Sequence, residues 1–202
     1  MIRPMKTLAI IFITLFSASG IIAQNFDKHV SDARSAYESG NLENSRFSME
    51  QALRELDILI GKEIIKLLPA KMGQLSAVVA EDQVTASGAA MGAGLFINRK
   101  YGADPKKADL QIMNNSPLLA GINALLAIPF LSGDANQKQV KIQGYKALIR
   151  TDKDEATGKV THNLQVPFGN TLLTLHVTES SEAEIISFAN LIPLSKISAF
   201  AQ

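Results

Sequence analysis

Residues 159–178 read KVTHNLQVPFGNTLLTLHVT, and the fold follows from how this stretch closes on itself. Gly169-Asn170 is a two-residue turn signal between runs of alternating apolar and polar residues, the mark of a β-hairpin. With that pair as the loop, Phe168 faces Thr171. The outward pairs are Pro167–Leu172, Val166–Leu173, Gln165–Thr174, Leu164–Leu175, Asn163–His176 and His162–Val177. One face then carries Phe168, Val166, Leu173, Leu164, Leu175 and Val177, and the other is mostly polar. A slip of one residue sets Leu164 against Thr174 and mixes the faces, so burial of one side specifies the register.

Upstream of the hairpin, period-2 alternation marks further strands at 75–79, 94–101, 108–114 and 138–150. In the last of these the apolar phase runs Val140, Ile142, then jumps to Tyr145, Ala147 and Ile149. A β-bulge at Gly144 is the expected cause. Two helices interrupt or close the set. One starts with Ser116 as N-cap and Pro117 at its first position and stops before Pro129. The other starts at Ser181, with Glu184 completing a capping box, and stops before Pro193.

Residues 26–68 are helical by pattern. Val30, Ala33 and Tyr37 share a face of a first helix that ends at Gly40-Asn41, a C′ glycine followed by a capping asparagine. From Leu42 the apolar positions Met49, Leu53, Leu56, Ile60, Ile64 and Leu67 step by threes and fours, up to Pro69. Short connection and paired stripes imply an antiparallel helical hairpin. Ala33, Tyr37, Gly40-Asn41-Leu42 and Ala52 resemble a single tetratricopeptide unit, with Ser45 at a usual alanine. Such units need about three copies to be stable by stacking, and no second copy follows. The hairpin alone requires these residue types.

The expected class is α+β: an N-terminal antiparallel helical hairpin, then a mainly antiparallel sheet of roughly six strands with two helices packed on one face. The expected segments are a signal peptide at 1–23, the hairpin extension at 24–72 and the sandwich domain at 73–202.

From Glu63 to Ile197 the chain resembles a family of uncharacterised exported bacterial proteins. The shared residues are the helix end Leu68-Pro69, the strand end Lys100-Tyr101 and the helix start Asn115-Ser116-Pro117-Leu118-Leu119. The Ile142, Gly144, Ala147 kink is shared as well. Members commonly carry Trp after the Leu-Pro, where this chain has Leu75. More distantly, strand, kink, strand and closing helix are similar to PsbP-like antiparallel sandwiches. The resemblance implies the fold class and export, and no activity.

The first residues read independently as a secretory leader. Arg3 and Lys6 precede the apolar run Thr7–Phe16, which is short of the roughly 20 residues of a membrane-spanning helix. Cleavage is expected after Ala23, where Ile21 is bulky at −3, or after Gly20, with Ala18 at −3. An uncleaved anchor is the alternative. The chain has no cysteine, hence no lipobox and no disulfide, and stability in an oxidising compartment must come from an apolar core. Loss of Arg3 and Lys6 takes the formal charge from +1 to −1. That balance points away from nucleic acid and from anionic membrane surfaces. The expected protein is periplasmic or secreted, with no stable membrane span after cleavage.

No catalytic pattern emerges. His29 lacks the spacing of a zinc helix. His162 and His176 lie near each other in the hairpin, but the register sends them to opposite sheet faces. The lone G-x-G of Ser87–Gly94 precedes a strand, whereas a phosphate loop follows one and opens a helix. No G-x-S-x-G elbow and no cysteine nucleophile exist. Glu81-Asp82 and Asp152, Asp154 and Glu155 read as solvated turns beside lysines, lacking the burial that acid–base work needs. The expectation is a non-enzymatic protein with no cofactor and no metal.

The most informative segment is Asn115–Gly133, NSPLLAGINALLAIPFLSG, which has no charged residue. Leu118, Leu119, Ile122, Leu125 and Leu126 form a core-facing helical stripe. The opposite face carries Ala120, Gly121, Ala124, Ala127 and Ile128, with Asn123 its one polar residue. Either the helix is buried between sheet and N-terminal hairpin, or its second face meets a hydrophobic ligand, lipid or partner protein, with Phe130 and Leu131 at the rim. The leading functional expectation is an exported binding protein taking a hydrophobic ligand or an envelope protein beside helix 117–128, through Leu118, Ile122, Leu125, Leu126, Phe130 and Leu131. The alternative is a structural or assembly factor docking through the hairpin 26–68.

Overall fold

In a computed structural model of the chain, which describes residues 19–87, 94–128 and 136–200, the Gly169-Asn170 hairpin forms in the expected register. Strands β8 (Val160–Phe168) and β9 (Thr171–Thr178) pair from Phe168↔Thr171 out to Thr161↔Thr178. Gly169 takes a positive φ of 57°, a conformation in which glycine has no Cβ to clash.

The element order begins with α1 (Ser19–Glu38) and α2 (Leu42–Leu67). A two-stranded ribbon of β1 (Lys71–Met72) and β2 (Leu75–Ser76) follows, then a 3-10 turn at Val79–Glu81. β3 (Gln83–Ala86), β4 (Leu95–Ala103) and β5 (Lys106–Asn114) form a first meander. After α3 (Leu119–Ala127), β6 (Gln137–Ile142), β7 (Tyr145–Lys153), β8 and β9 form a second. α4 (Glu182–Asn190) and α5 (Leu194–Phe200) close the chain. All seven strands join one antiparallel sheet in the order β3-β4-β5-β9-β8-β7-β6.

That order makes α3 a crossover. The chain leaves β5 in mid-sheet and must reach the far edge to begin β6, so α3 travels across one face. The register identifies the face. Arg99, Leu110, Leu175, Leu164 and Ile149 form one continuous row, with the four apolar members essentially inaccessible. This row belongs to the main core, shared with Ile64, Leu68 and Met72 from the N-terminal side and with Ile185, Phe188, Leu194 and Ile197 of α4 and α5. α3 meets Leu148 and Leu172, which alternate with that row, and so lies on the opposite face. The expectation that both later helices cover one face is therefore corrected, as is the placing of helix 117–128 between the sheet and the hairpin. Because the core includes Ile64, Leu68 and Met72, it does not divide at residue 73.

Further differences have local causes. The span 138–150 is two strands with no bulge between them. Gln143 and Gly144 both have positive φ, 49° and 89°, and form a two-residue turn that pairs Ile142 with Tyr145. Gln143 is held in this unfavourable region while its Nε2 donates to Ile192 O at 2.6 Å and Asn190 O at 3.2 Å, tying the turn to the end of α4. The span 75–79 contributes only Leu75–Ser76 as strand, and the edge strand β3 and the short α5 are additional. Ser116 does not cap α3 as expected. Its Oγ accepts from Leu118 N at 3.3 Å, within a turn that precedes the helix. Ser181 does cap α4, its Oγ accepting from Glu184 N at 3.2 Å, while the Glu184 carboxylate binds Lys106 instead of closing the box.

Residues 1–18, with the expected leader core Thr7–Phe16, lie outside the described residues, as do most of the Ser87–Gly94 loop and Phe130 and Leu131.

Candidate functional site

Three surfaces have the composition of a site, and the first is α3. Ile122 and Leu126 are buried against Leu148 and Leu172, with Leu119 and Leu125 half-buried around them. The helix end is clipped to the sheet. Gln139 Nε2 donates to Leu125 O (3.1 Å) and Ile128 O (3.0 Å), and Lys146 Nζ to Leu126 O (3.5 Å). Its outer face is open to solvent. Leu118 keeps 57% and Ile128 50% of its surface exposed, and Ala120, Gly121, Asn123, Ala124 and Ala127 lie exposed between them. Of the residues expected to meet a ligand, Ile122 and Leu126 are thus sheet contacts, Leu125 is half-buried and Leu118 is free. The recess beside the helix, lined by Asn123, Leu126, Ala127, Lys146 and Pro167, measures 240 Å³. Ligand pockets usually start at about 300 Å³.

The second surface is the N-terminal hairpin. Gly40 (φ 76°) ends α1, and Asn41 Oδ1 accepts from Asn44 N at 3.1 Å to start α2, as the sequence led one to expect. The two helices meet through small residues: Ala33 and Ala52 are buried, and Ser45 Oγ donates to Ala33 O at 2.9 Å. Positions 45, 48 and 52 of α2 centre about 75° around the helix from the centre of 42, 49, 53 and 56. Hence the large apolar stripe does not face α1. Leu42, Met49, Leu53 and Leu56 keep 64, 48, 56 and 38% of their surface exposed. The same stripe continues through Ile60 and Ile64 into the main core, where Ile64 is inaccessible. Gly61 marks the closest approach to the sheet. A Cβ there would overlap Val84 Cγ1 and come within 2.7 Å of Leu95 Cδ1. The C-terminal half of α2 is therefore locked onto β3, β4 and α5, while its N-terminal half projects with α1. A clue was present in the sequence: α2 carries two stripes, one small and one large, and only one can face α1.

Along the open flank of the large stripe run Glu43, Glu50 and Asp57, seven residues apart. Glu50 Oε1 pairs with Arg46 at 3.2 Å. Neither Glu43 nor Asp57 makes an ion pair among the described residues. Burial pushes the half-buried Asp57 carboxyl above the ordinary aspartate value.

The third surface is the polar part of the α3 side of the sheet, with the row Lys100, Asp109, His176, Asn163 and Arg150. A 390 Å³ pocket near its edge is lined by Glu81, Lys100, Asp104, Lys107, Asp109 and His176, among others. Its charges are engaged with one another: Lys100–Glu81 at 2.8 Å, Lys107–Asp104 at 2.9 Å, and Asp109 Oδ1 accepting from Asn98 (2.6 Å) and Gln111 (3.2 Å). None of these is the free, desolvated carboxylate that acid–base catalysis asks for.

His162 and His176 do lie on opposite faces. His162 is on the core side, its Nδ1 3.1 Å from Ser180 Oγ. The serine hydroxyl donates to Val177 O at 2.9 Å, which leaves Oγ to accept from the imidazole in the tautomer that carries its proton on Nδ1. Among the described residues no group of three histidines or carboxylates could hold a metal ion. Asp154 sits in a turn as expected, accepting from Ala156 N and Thr157 N, and these bonds hold its carboxyl below the usual range.

Asp82 corrects the reading of Glu81-Asp82 as a solvated turn. It grips Arg99 bidentately, Nε to Oδ1 at 2.8 Å and Nη2 to Oδ2 at 2.5 Å, with 15% and 8% of the two side chains exposed. Arg99 also donates to Leu68 O at 3.3 Å, fastening the end of α2 to β4. Tyr101, on the same strand, is fully buried, its hydroxyl has no hydrogen-bond partner among the described residues, and burial pushes its phenol up to about 12.

No protein-family model, no curated protein and no solved structure matches the chain. The likeness to exported bacterial proteins rests on its quoted residues alone.

Proposed function

We propose that this is an exported, non-enzymatic interaction protein that docks on a partner through the α2 stripe Leu42, Met49, Leu53 and Leu56. One observation carries this reading: four large apolar side chains stand exposed in line on a helix whose other end is locked into the core. Burying a side chain of this kind is worth roughly 1.5–3 kcal/mol, and contiguous exposed apolar surface marks interaction sites. The leader pattern of residues 1–23 supports export. Among the described residues no single helix is long and apolar enough to cross a membrane. The bent pair α4–α5 passes a composition test, but its Ile185, Phe188, Leu194 and Ile197 belong to the core.

A second reading places a hydrophobic ligand or lipid on the outer face of α3, favoured by the exposed Leu118 and Ile128 on a charge-free helix. The two are separable by a photoreactive residue introduced at Leu53, at Leu118, or at the exposed control Lys153 in the exporting host. A discrete protein adduct at Leu53 and none at Lys153 is expected. An adduct confined to Leu118 would shift the site to α3, and none at either position would end both readings.

A further inference from the structure

We infer that the occupant of the α2 stripe is an amphipathic α-helix whose apolar seam is flanked by lysine or arginine; this rests on the docking role proposed for the hairpin. Three observations select that chemistry. Leu42, Met49, Leu53 and Leu56 step by seven, four and three, the ridge spacing into which the ridges of another helix fit. An extended strand would present side chains with period two and match only part of the line.

The second observation is charge. On the flank that α1 leaves open, Glu43 and Asp57 stand beside the stripe without an ion pair among the described residues, and Glu50 between them is paired with Arg46 of the same flank. In paired helices the residues beside the seam choose the partner by forming ion pairs across it. The third is Asp57 itself, a half-buried carboxylate that makes no ion pair among the described residues. A basic residue on an incoming helix would supply what this group lacks.

The same line of acids speaks against two other occupants. A second copy of the chain, docked antiparallel about a two-fold axis, sets the unpaired Glu43 against the unpaired Asp57. An anionic lipid surface is disfavoured by the same two acids.

The test uses protein recovered from an exporting host and three labelled synthetic helical peptides. They share one leucine seam and carry lysine, glutamine or glutamate on both flanks; binding is read by fluorescence anisotropy. The lysine peptide is expected to bind about tenfold tighter than the glutamate peptide, with the preference shrinking at high salt. Glu43→Gln with Asp57→Asn should abolish the preference and leave affinity for the glutamine peptide unchanged. Leu53→Gln should weaken all three. Equal binding of the lysine and glutamate peptides, or no binding of the lysine peptide, overturns the inference. So does self-association of the chain that Leu53→Gln abolishes, which names a second copy as the occupant and leaves the docking role standing. An absent adduct at Leu53 in the crosslinking experiment removes the docking role as well.

Discussion

Arg99 and Asp82 show what a single buried pair does here. Both face the core side of the sheet, nearly closed to solvent, and the guanidinium also holds Leu68 O at the end of α2. Asp82→Asn would leave that guanidinium without its counter-charge, so a loss of about 3–5 kcal/mol is expected by urea denaturation. Replacing both partners, in Asp82→Leu with Arg99→Met, should recover much of the loss, because no uncompensated charge remains. Asp57 works in the opposite sense. Burial raises its folded pKa above the unfolded one, so the protonated form is the favoured one in the fold, and stability falls as pH rises through the folded value. Asp57→Asn should therefore raise the melting temperature at pH 7, and the gain should vanish below the ordinary aspartate pKa. A gain that persists in acid would assign the effect to something other than charge. Neither residue was legible in the sequence. Asp82 stands beside Glu81 in a stretch of loop composition, and nothing local indicates that one acid turns inward to an arginine on the next strand while its neighbour stays on the surface.

Among the elements, α2 carries the clearest tension between local and tertiary preference. Alanine in place of Gly61 improves helix propensity by about 1 kcal/mol. Yet the added methyl would overlap Val84 Cγ1 and crowd Leu95 Cδ1. Overpacking of this kind costs about 1–3 kcal/mol, so Gly61→Ala should lower stability on balance, and an increase would mean that α2 can lift from β3 and β4 without loss. The β8–β9 hairpin was legible to the residue because period-2 alternation and a turn pair agree on one register. The span 138–150 was not, since a phase jump at Gly144 arises equally from a bulge and from a tight turn. Only the two positive φ values, at Gln143 and Gly144, tell them apart. α3 was legible as a helix with one core face, but its side of the sheet depends on strand order, which no local pattern contains. The α2 stripe was legible as apolar but paired with the stripe of α1, because periodicity identifies a face without saying what lies against it.

At the scale of the molecule, two meanders joined by one crossover leave the sheet with a closed face and a half-open one. The closed face is shared by sheet, α2, α4 and α5, and it explains how a chain without cysteine holds together. The expected cleavage points at Gly20 and Ala23 fall within the first two turns of α1, so a processed chain would retain the part of α1 that contains Ala33. Intact mass of the protein recovered from an exporting host should correspond to a start at Ile21 or Gln24. A mass that includes Met1–Phe16 would instead make the apolar run an anchor and place the hairpin at a membrane. The docking role itself depends on the α2 stripe being open in the free protein while the same helix is locked one turn further on. Urea denaturation of Leu53→Gln beside Ile64→Ala examines this directly, since leucine and glutamine have similar helix propensity. Leu53→Gln should stay within about 0.5 kcal/mol of the parent, as for an exposed position. Ile64→Ala should lose about 2–5 kcal/mol, as for a core position. A loss of about 2 kcal/mol or more from Leu53→Gln would mean that the stripe is already buried in the free protein, and it would contradict a surface held open for a partner.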